Sequence, residues 1–131
     1  MELTLERLNN SQSAIVKLYG QDGFDSVTAY RVMKNFNAIA AEVKAYEEQR
    51  IKLCEKYAKK DGEGNPVIEA GNYIFEQDGA LEMTEQIGAL LAETVDVKIR
   101  KVSLESIGCA KLSPAQIESI EFMLDIDGEE E

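Results

Sequence analysis

The residues best suited to binding chemistry form a short basic run near the C-terminus, Lys98, Arg100 and Lys101. The run stands out because the 131-residue chain carries a formal net charge of -11. Lys98 and Arg100 lie on the polar face of a predicted strand, with Lys101 next to them. Two interpretations stay open: a solvated strand face, or a docking site for an acidic partner or the chain's own acidic tail. For a small anionic ligand, Arg31 and Arg50 join Lys98 and Arg100 as candidate contacts.

The sequence carries no motif for the common catalytic or metal sites. Histidine is absent and the two cysteines, Cys54 and Cys109, have no CxxC spacing, so we expect no zinc site, no catalytic triad and reduced thiols. The glycines do not form a phosphate-binding loop. The turn at 61–66 and the acidic stretch at 125–128 both fail the spacing of a calcium-binding EF-hand loop. We therefore predict a non-enzymatic protein without metal or cofactor, the enzymatic alternative being an acid–base pair of carboxylates.

The overall charge also bears on the choice of partner. Nucleic-acid binding needs clustered Lys and Arg to neutralise phosphates, which a net charge of -11 disfavours. The N-terminal residues lack the basic head and apolar run of a secretory signal. No window approaches the ~18 apolar residues that a membrane span requires. We predict a protein partner or self-association, with no nucleic acid and no membrane.

The strongest structural signal is a long amphipathic helix over residues 28–60. No Gly or Pro interrupts it, and apolar residues recur about every 3.5 residues, with Arg50 as the polar exception. This pattern fits an intramolecular core, with a partner or homo-oligomer surface around Arg50, Leu53 and Tyr57 as the alternative. The apolar positions are Ala29, Val32, Phe36, Ile39, Val43, Tyr46, Leu53 and Tyr57.

Shorter elements complete an α+β fold that is mainly α. We predict a long central helix with shorter packed helices and a small two- or three-stranded antiparallel sheet. The sheet combines a hairpin at 67–75 with a strand at 94–102, because two strands alone are marginal in water. We expect one α-rich domain over 1–124 and an acidic flexible tail over 125–131.

Capping residues set the boundaries of the predicted helices. Thr4 opens the first helix, over residues 3–19, which has a candidate break at Asn9–Ser11 where Ser11 caps a second piece. Ser26 or Thr28 opens the long helix, and Asp78 opens the helix over 78–93. Gly88 inside that helix costs ~1 kcal/mol relative to alanine, which a close helix crossing could offset. The most specific signal is Ser113-Pro114-Ala115-Gln116, which combines a cap, a first-turn proline and a capping-box glutamine.

Three segments resemble a family of small proteins of tailed phages and prophages of Gram-positive hosts, known as a domain of unknown function, number sixteen-seventeen. They are LTLERL, AYRVMKNFNAIAAEVKAYEEQRIKLCEKYAKKDGEGN and VSLESIGCAKLSPAQIESIEFML. The resemblance covers nearly the whole chain. It implies a product of late phage genes near tail and lysis functions, located in the host cytoplasm during infection or lysogeny, or in the virion. It supplies no catalytic residues.

Two functional hypotheses follow from these observations. The leading one is a non-enzymatic phage or prophage accessory or structural-interaction protein, tail-associated or assembly-related. The alternative is a phage counter-defence protein, either an acidic decoy or an oligomer that sequesters a small ligand.

Overall fold

A computed structural model describes residues 1–125, and the predicted acidic tail lies outside this range except for Asp125. The protein is 58% helical with a little β-structure, which confirms the mainly α fold class and its long helix. The helices are α1 Leu5–Asn10, α2 Gln12–Tyr19, α3 Ser26–Tyr57, α4 Gln77–Leu91 and α5 Pro114–Ser119. The strands are β1 Glu2–Thr4, β2 Ile68–Glu69, β3 Asn72–Tyr73, β4 Thr94–Asp96, β5 Val102–Ser103 and β6 Leu124–Asp125.

The chain divides into two compact units. The first contains Met1–Val43 and Thr94–Glu131, described as far as residue 125, and the second contains Lys44–Glu93. Residues 26–43 of α3 therefore belong to the first unit and residues 44–57 to the second. A single domain over 1–124 stays a prediction.

The N-terminal helices of the first unit follow the predicted caps only in part. The Thr4 hydroxyl accepts a hydrogen bond from the Arg7 amide at 3.1 Å, as expected of an N-cap. The chain breaks at Ser11, but the Ser11 hydroxyl donates to the Leu8 carbonyl at 2.7 Å and makes no capping bond to α2. Ser11 thus occupies the predicted N-cap position, but its backbone (φ -80°, ψ -7°) is helical rather than extended, and the expected side-chain capping bond is absent.

Helices α1, α2 and α3 and the segment 120–124 supply much of the core of the first unit. Tyr19 is 52% exposed and stacks on Phe36 with 4.0 Å between the ring centroids. Ile120, Met123 and Leu124, which follow α5, are buried. Other fully buried side chains are Leu8, Ile15, Leu18, Ile39, Ile107 and Val102.

The capping box of α5 is present as predicted. The Ser113 hydroxyl accepts from the Gln116 amide at 3.1 Å, and the Gln116 side-chain oxygen accepts from the Ser113 amide at 2.9 Å. This arrangement satisfies two backbone donors at the helix start, and Pro114 needs no donor there.

The strand pairing of the first unit differs from the prediction. Strand β4 pairs antiparallel with β1, with Leu3 opposite Val95, and does not join the hairpin. The N-terminal ammonium of Met1 also binds the Asp96 carboxylate at 2.8 Å. Residues 2–4 end at the helix cap Thr4, whose backbone is extended (φ -75°, ψ 153°), so the segment can pair as a strand. The pair β5–β6 is parallel, with Val102 opposite Leu124.

The start of α3 is capped by Asp25, and the prediction of Ser26 or Thr28 is wrong. The Asp25 carboxylate accepts from the Thr28 amide at 2.8 Å and from the Thr28 hydroxyl at 3.1 Å. These two hydrogen bonds lower the pKa of the Asp25 carboxyl below its ordinary value.

Replacing Asp25 by Ala should lower the melting temperature at neutral pH by a few degrees, because the variant loses the cap. The pKa of Asp25 is lower in the folded than in the unfolded protein. Its stabilising effect is therefore complete above the unfolded-state pKa of about 3.9 and is lost as the pH falls through the folded-state pKa. Melting curves at pH 7 and pH 3 for wild type, Asp25→Ala and the exposed control Asp22→Ala test this expectation. The expectation is contradicted if the melting temperatures of wild type and Asp25→Ala differ by the same amount at pH 7 and at pH 3.

The second unit begins with the C-terminal part of α3, which ends at Tyr57 rather than Lys60. The Lys60 ammonium donates to the carbonyls of Lys56 at 3.1 Å and Ala58 at 2.8 Å, so it satisfies carbonyls that the helix end leaves without partners. The predicted hairpin is confirmed as the short pair β2–β3. Its turn residues Ala70 and Gly71 both have positive φ, 52° and 82°, as a type I′ turn requires.

Helix α4 differs from the prediction in its N-cap residue and in which of its glycines lies against another helix. Its N-cap is Glu76, which makes no side-chain capping bond, so the prediction of Asp78 is wrong. A Cβ atom added at Gly88 would meet nothing within 4 Å, whereas one added at Gly79 would lie 2.7 Å from the Tyr57 carbonyl oxygen. The glycine at a close helix contact is therefore Gly79, not Gly88. The apolar residues predicted to be buried, Met83, Ile87, Leu90 and Leu91, are half-buried.

The two glycines of α4 should respond in opposite directions to alanine. Gly88→Ala should stabilise the protein by up to about 1 kcal/mol, because alanine has the higher helix propensity and the site is open. Gly79→Ala should destabilise it by about 1–3 kcal/mol, because the added methyl group forces the Tyr57 backbone to move. Urea unfolding of both variants measures these changes. Stabilisation of similar size in both would contradict the close contact at Gly79.

Candidate functional site

A buried amide positions the segment that follows β4. Asn35 of α3 is fully buried, and its side-chain nitrogen donates to the Arg100 carbonyl at 2.8 Å. Its side-chain oxygen accepts from the Arg100 amide, also at 2.8 Å. One side chain thus satisfies both backbone groups of residue 100, as a neighbouring strand would. The prediction of one strand over 94–102 is therefore wrong: β4 ends at Asp96, and Val102 belongs to the separate strand β5.

This amide clamp brings basic side chains of α3 together with the predicted basic run. The Arg31 guanidinium donates to the Lys101 carbonyl at 3.1 Å. The Arg100 guanidinium carbon lies 5.8 Å from the centre of the Tyr30 ring, and the Lys34 ammonium lies 6.0 Å from it. Tyr30 is 52% exposed. We call the set Tyr30, Arg31, Lys34, Arg100 and Lys101 the basic–aromatic patch.

The patch has no acidic neighbour in the part of the chain that the structure describes. The ion pairs within residues 1–125 are Met1 with Asp96 and Arg50 with Glu47. No described carboxylate therefore lies within 4.0 Å of Arg31, Lys34, Arg100 or Lys101. Interactions of exposed cations with an aromatic ring contribute only about 0.5–1 kcal/mol, so these groups keep their capacity to bind an anion.

The chemistry available on the patch is recognition of carboxylates beside an apolar contact. Arginine offers a planar set of donors that matches a carboxylate, and lysine adds a point charge. Tyrosine and arginine are enriched at the energetically important positions of protein interfaces. The exposed Tyr30 ring therefore supplies contact area, and the four cations supply charge.

The structure places the residues predicted from the basic run in two groups. Arg100 and Lys101 meet on the patch with Arg31, which was predicted for an anionic ligand. Lys98 is exposed but makes none of the contacts above. Sequence reasoning missed Lys34 and assigned Tyr30 to a widened apolar stripe. Their i, i+4 spacing on one helix face was the available signal.

The predicted surface at Arg50, Leu53 and Tyr57 lies in the second unit. The Arg50 guanidinium pairs with the Glu47 carboxylate at 2.8 Å, and these hydrogen bonds raise the pKa of Arg50 above its ordinary value. Leu53 is half-buried and lines a hollow of about 330 Å³ together with Leu90 of α4. Tyr57 is also half-buried. A partner surface at these three residues stays a prediction.

The described residues contain neither a cluster of metal ligands nor a membrane-spanning helix. Within residues 1–125 no group of three or more His, Cys, Asp or Glu side chains is placed to hold a metal ion. Both cysteines are free, with Cys54 buried and Cys109 exposed. In the same range, no helix combines the length and apolar character needed to cross a membrane.

Comparison with known proteins adds no residue to the patch. No protein-family model matches the chain, and searches of curated proteins and of solved structures gave no match either. The chemistry of the patch therefore rests on its own contacts, exposure and charge.

Replacing Asn35 by Ala should destabilise the protein by about 1–3 kcal/mol, because the amide and carbonyl of residue 100 lose their buried partner. Asn37 is exposed on the same helix, so Asn37→Ala is the matched control and should change stability little. Urea unfolding gives the free energies. Equal effects of the two substitutions would contradict the role of the amide clamp.

Proposed function

We propose that this chain is a non-enzymatic interaction protein, of the phage or prophage accessory kind, that binds an acidic segment of a partner protein on the basic–aromatic patch. One observation carries the proposal: the Lys34 and Arg100 side chains lie 6.0 and 5.8 Å from the centre of the exposed Tyr30 ring, Arg31 contacts the Lys101 carbonyl, and no described carboxylate lies within 4.0 Å of these four cations. In a protein of net charge -11, four cations that pair with no described carboxylate favour an acidic ligand.

The charge distribution favours a short acidic peptide segment over a nucleic acid. A nucleic acid extends beyond the patch, where it would meet a protein surface of its own sign. A short segment responds mainly to charges within the Debye length, about 8 Å at physiological ionic strength. The local positive field of the patch can therefore attract it despite the negative total charge.

The phage or prophage setting is supported by the resemblance of the three sequence segments to that family. It fits an accessory or structural-interaction role, tail-associated or assembly-related, in the host cytoplasm or the virion. Self-association through the region of Arg50, Leu53 and Tyr57 is a separate proposal that the apolar period of α3 supports.

A second candidate is the counter-defence role, in which the protein sequesters a small anionic ligand. It is favoured by Arg31 and Arg100, because both were predicted for that role and both lie on the patch. Arg50, the third arginine predicted for it, is engaged by Glu47 in the second unit.

Titration of ¹⁵N-labelled protein with a short acidic peptide, blocked at both ends and with a central glycine, tests the proposal. The peptide should shift the amide signals of residues 30–34 and 100–101, and added salt should weaken binding. The charge-reversed variant Lys34→Glu/Arg100→Glu should bind at least tenfold more weakly. It should fold normally, because Asn35 contacts the backbone and not the side chain of residue 100.

The control variant Lys44→Glu/Lys52→Glu makes the same charge change at exposed positions of α3 outside the patch. It should keep most of the affinity. Loss of binding in both variants would mean that only the total charge matters and would overturn the patch. Tighter binding of a thymidine oligonucleotide or of ATP at residues 30–34 would favour an anion-binding role over a protein partner.

A further inference from the structure

A second feature of the first unit bears on the chemistry of the partner. An apolar cavity of about 250 Å³ is open at the surface between the 3₁₀ turn at Gly108–Ala110 and α5. Four of its six lining residues are aliphatic. They are Leu104, Ile107, Leu112 and Ile117, with Gly108 and Lys111 completing the wall.

Lys111 on this wall holds an unusual backbone conformation. Its φ of 54° and ψ of 54° lie in the left-handed region, which glycine adopts freely and lysine adopts at a cost. The Lys17 ammonium donates to the Lys111 carbonyl at 3.1 Å. Lys111 thus lines the cavity and Lys17 contacts its backbone, and neither lysine has a carboxylate within 4.0 Å among the described residues.

The size of the cavity limits what it can hold. Pockets for whole cofactors or drug-sized molecules measure about 300–1,000 Å³, so a cavity of about 250 Å³ suits a single side chain. Apolar residues that fill such pockets are the usual energetic anchors of protein interfaces. Lys17 and Lys111 complement a carboxylate next to the anchor, because neither pairs with a described carboxylate.

We propose that this cavity is an anchor pocket for one aliphatic side chain of the acidic partner, with Lys17 and Lys111 pairing a carboxylate that flanks the anchor. The inference rests on the proposed function and specifies its partner: an acidic segment with an apolar residue. The pocket follows the C-terminal part of the patch in sequence, since Leu104 and Lys111 come shortly after Lys101.

Two blocked acidic peptides, identical except for leucine or glycine at the centre, test the pocket by NMR titration. The leucine peptide should shift amide signals of residues 104–117 and should bind about tenfold more tightly than the glycine peptide, because one apolar side chain is buried. The glycine peptide should shift the patch alone.

Two variants alter the pocket without destabilising the protein, so that a loss of binding cannot be attributed to unfolding. Lys111→Gly removes the charge and relieves the left-handed conformation, so it should keep or raise the melting temperature while it reduces the preference for leucine. Gly108→Val adds methyl groups where an added Cβ has open space, so it should fold and block the pocket. Glu105→Gln is the control, since Glu105 is exposed and does not line the cavity.

The outcomes separate the pocket from the patch. If both peptides shift only residues 30–34 and 100–101 with equal affinity, the anchor pocket is overturned and the proposed function stands. If neither peptide shifts any signal, the proposed function itself fails. Leucine-dependent shifts that survive in both Lys111→Gly and Gly108→Val would place the leucine elsewhere and also overturn the pocket.

Discussion

The buried amide of Asn35 is the interaction on which the architecture of the candidate site depends. Burying a polar side chain is costly unless its donors and acceptors are satisfied, and here the amide pairs with both backbone groups of Arg100. This pairing holds an irregular segment against α3 where a sheet partner is missing. Across the described residues, every buried side-chain polar atom has a hydrogen-bond partner, so the clamp is part of a fully satisfied interior.

Because of the clamp, the backbone of Arg100 has a structural role while its side chain stays available for binding. The Arg100 backbone is fixed by Asn35, which leaves its guanidinium available over the Tyr30 ring. Arg31 combines the two roles, since its guanidinium contacts the Lys101 carbonyl on an exposed helix face. A rigid helix and a fixed backbone thus present several cations on one surface. Such preorganisation lowers the entropic cost of binding an acidic ligand.

Side chains cap helix ends in both units. They form hydrogen bonds with backbone donors and acceptors that lie close by in sequence. Asp25 binds donors at the start of α3, and Lys60 binds carbonyls at its end. Ser113 and Gln116 do the same reciprocally at the start of α5. Each cap uses residues within five positions of its partners, so it forms with the helix and needs no distant part of the chain.

The sequence by itself determined what short-range patterns encode: the long helix, the α5 capping box, the β2–β3 hairpin and the mainly α fold class. It also predicted Arg100 and Lys101 as binding candidates, because a compact basic run stands out in an acidic chain, and Arg31 as a contact for an anionic ligand. Only the tertiary structure decided that β4 pairs with β1 and that Asn35 holds Arg100, 65 positions away in sequence. The position of an asparagine within a helix does not reveal its hydrogen-bond partner. The partner here belongs to a segment that is distant in sequence and lies close only in the folded protein.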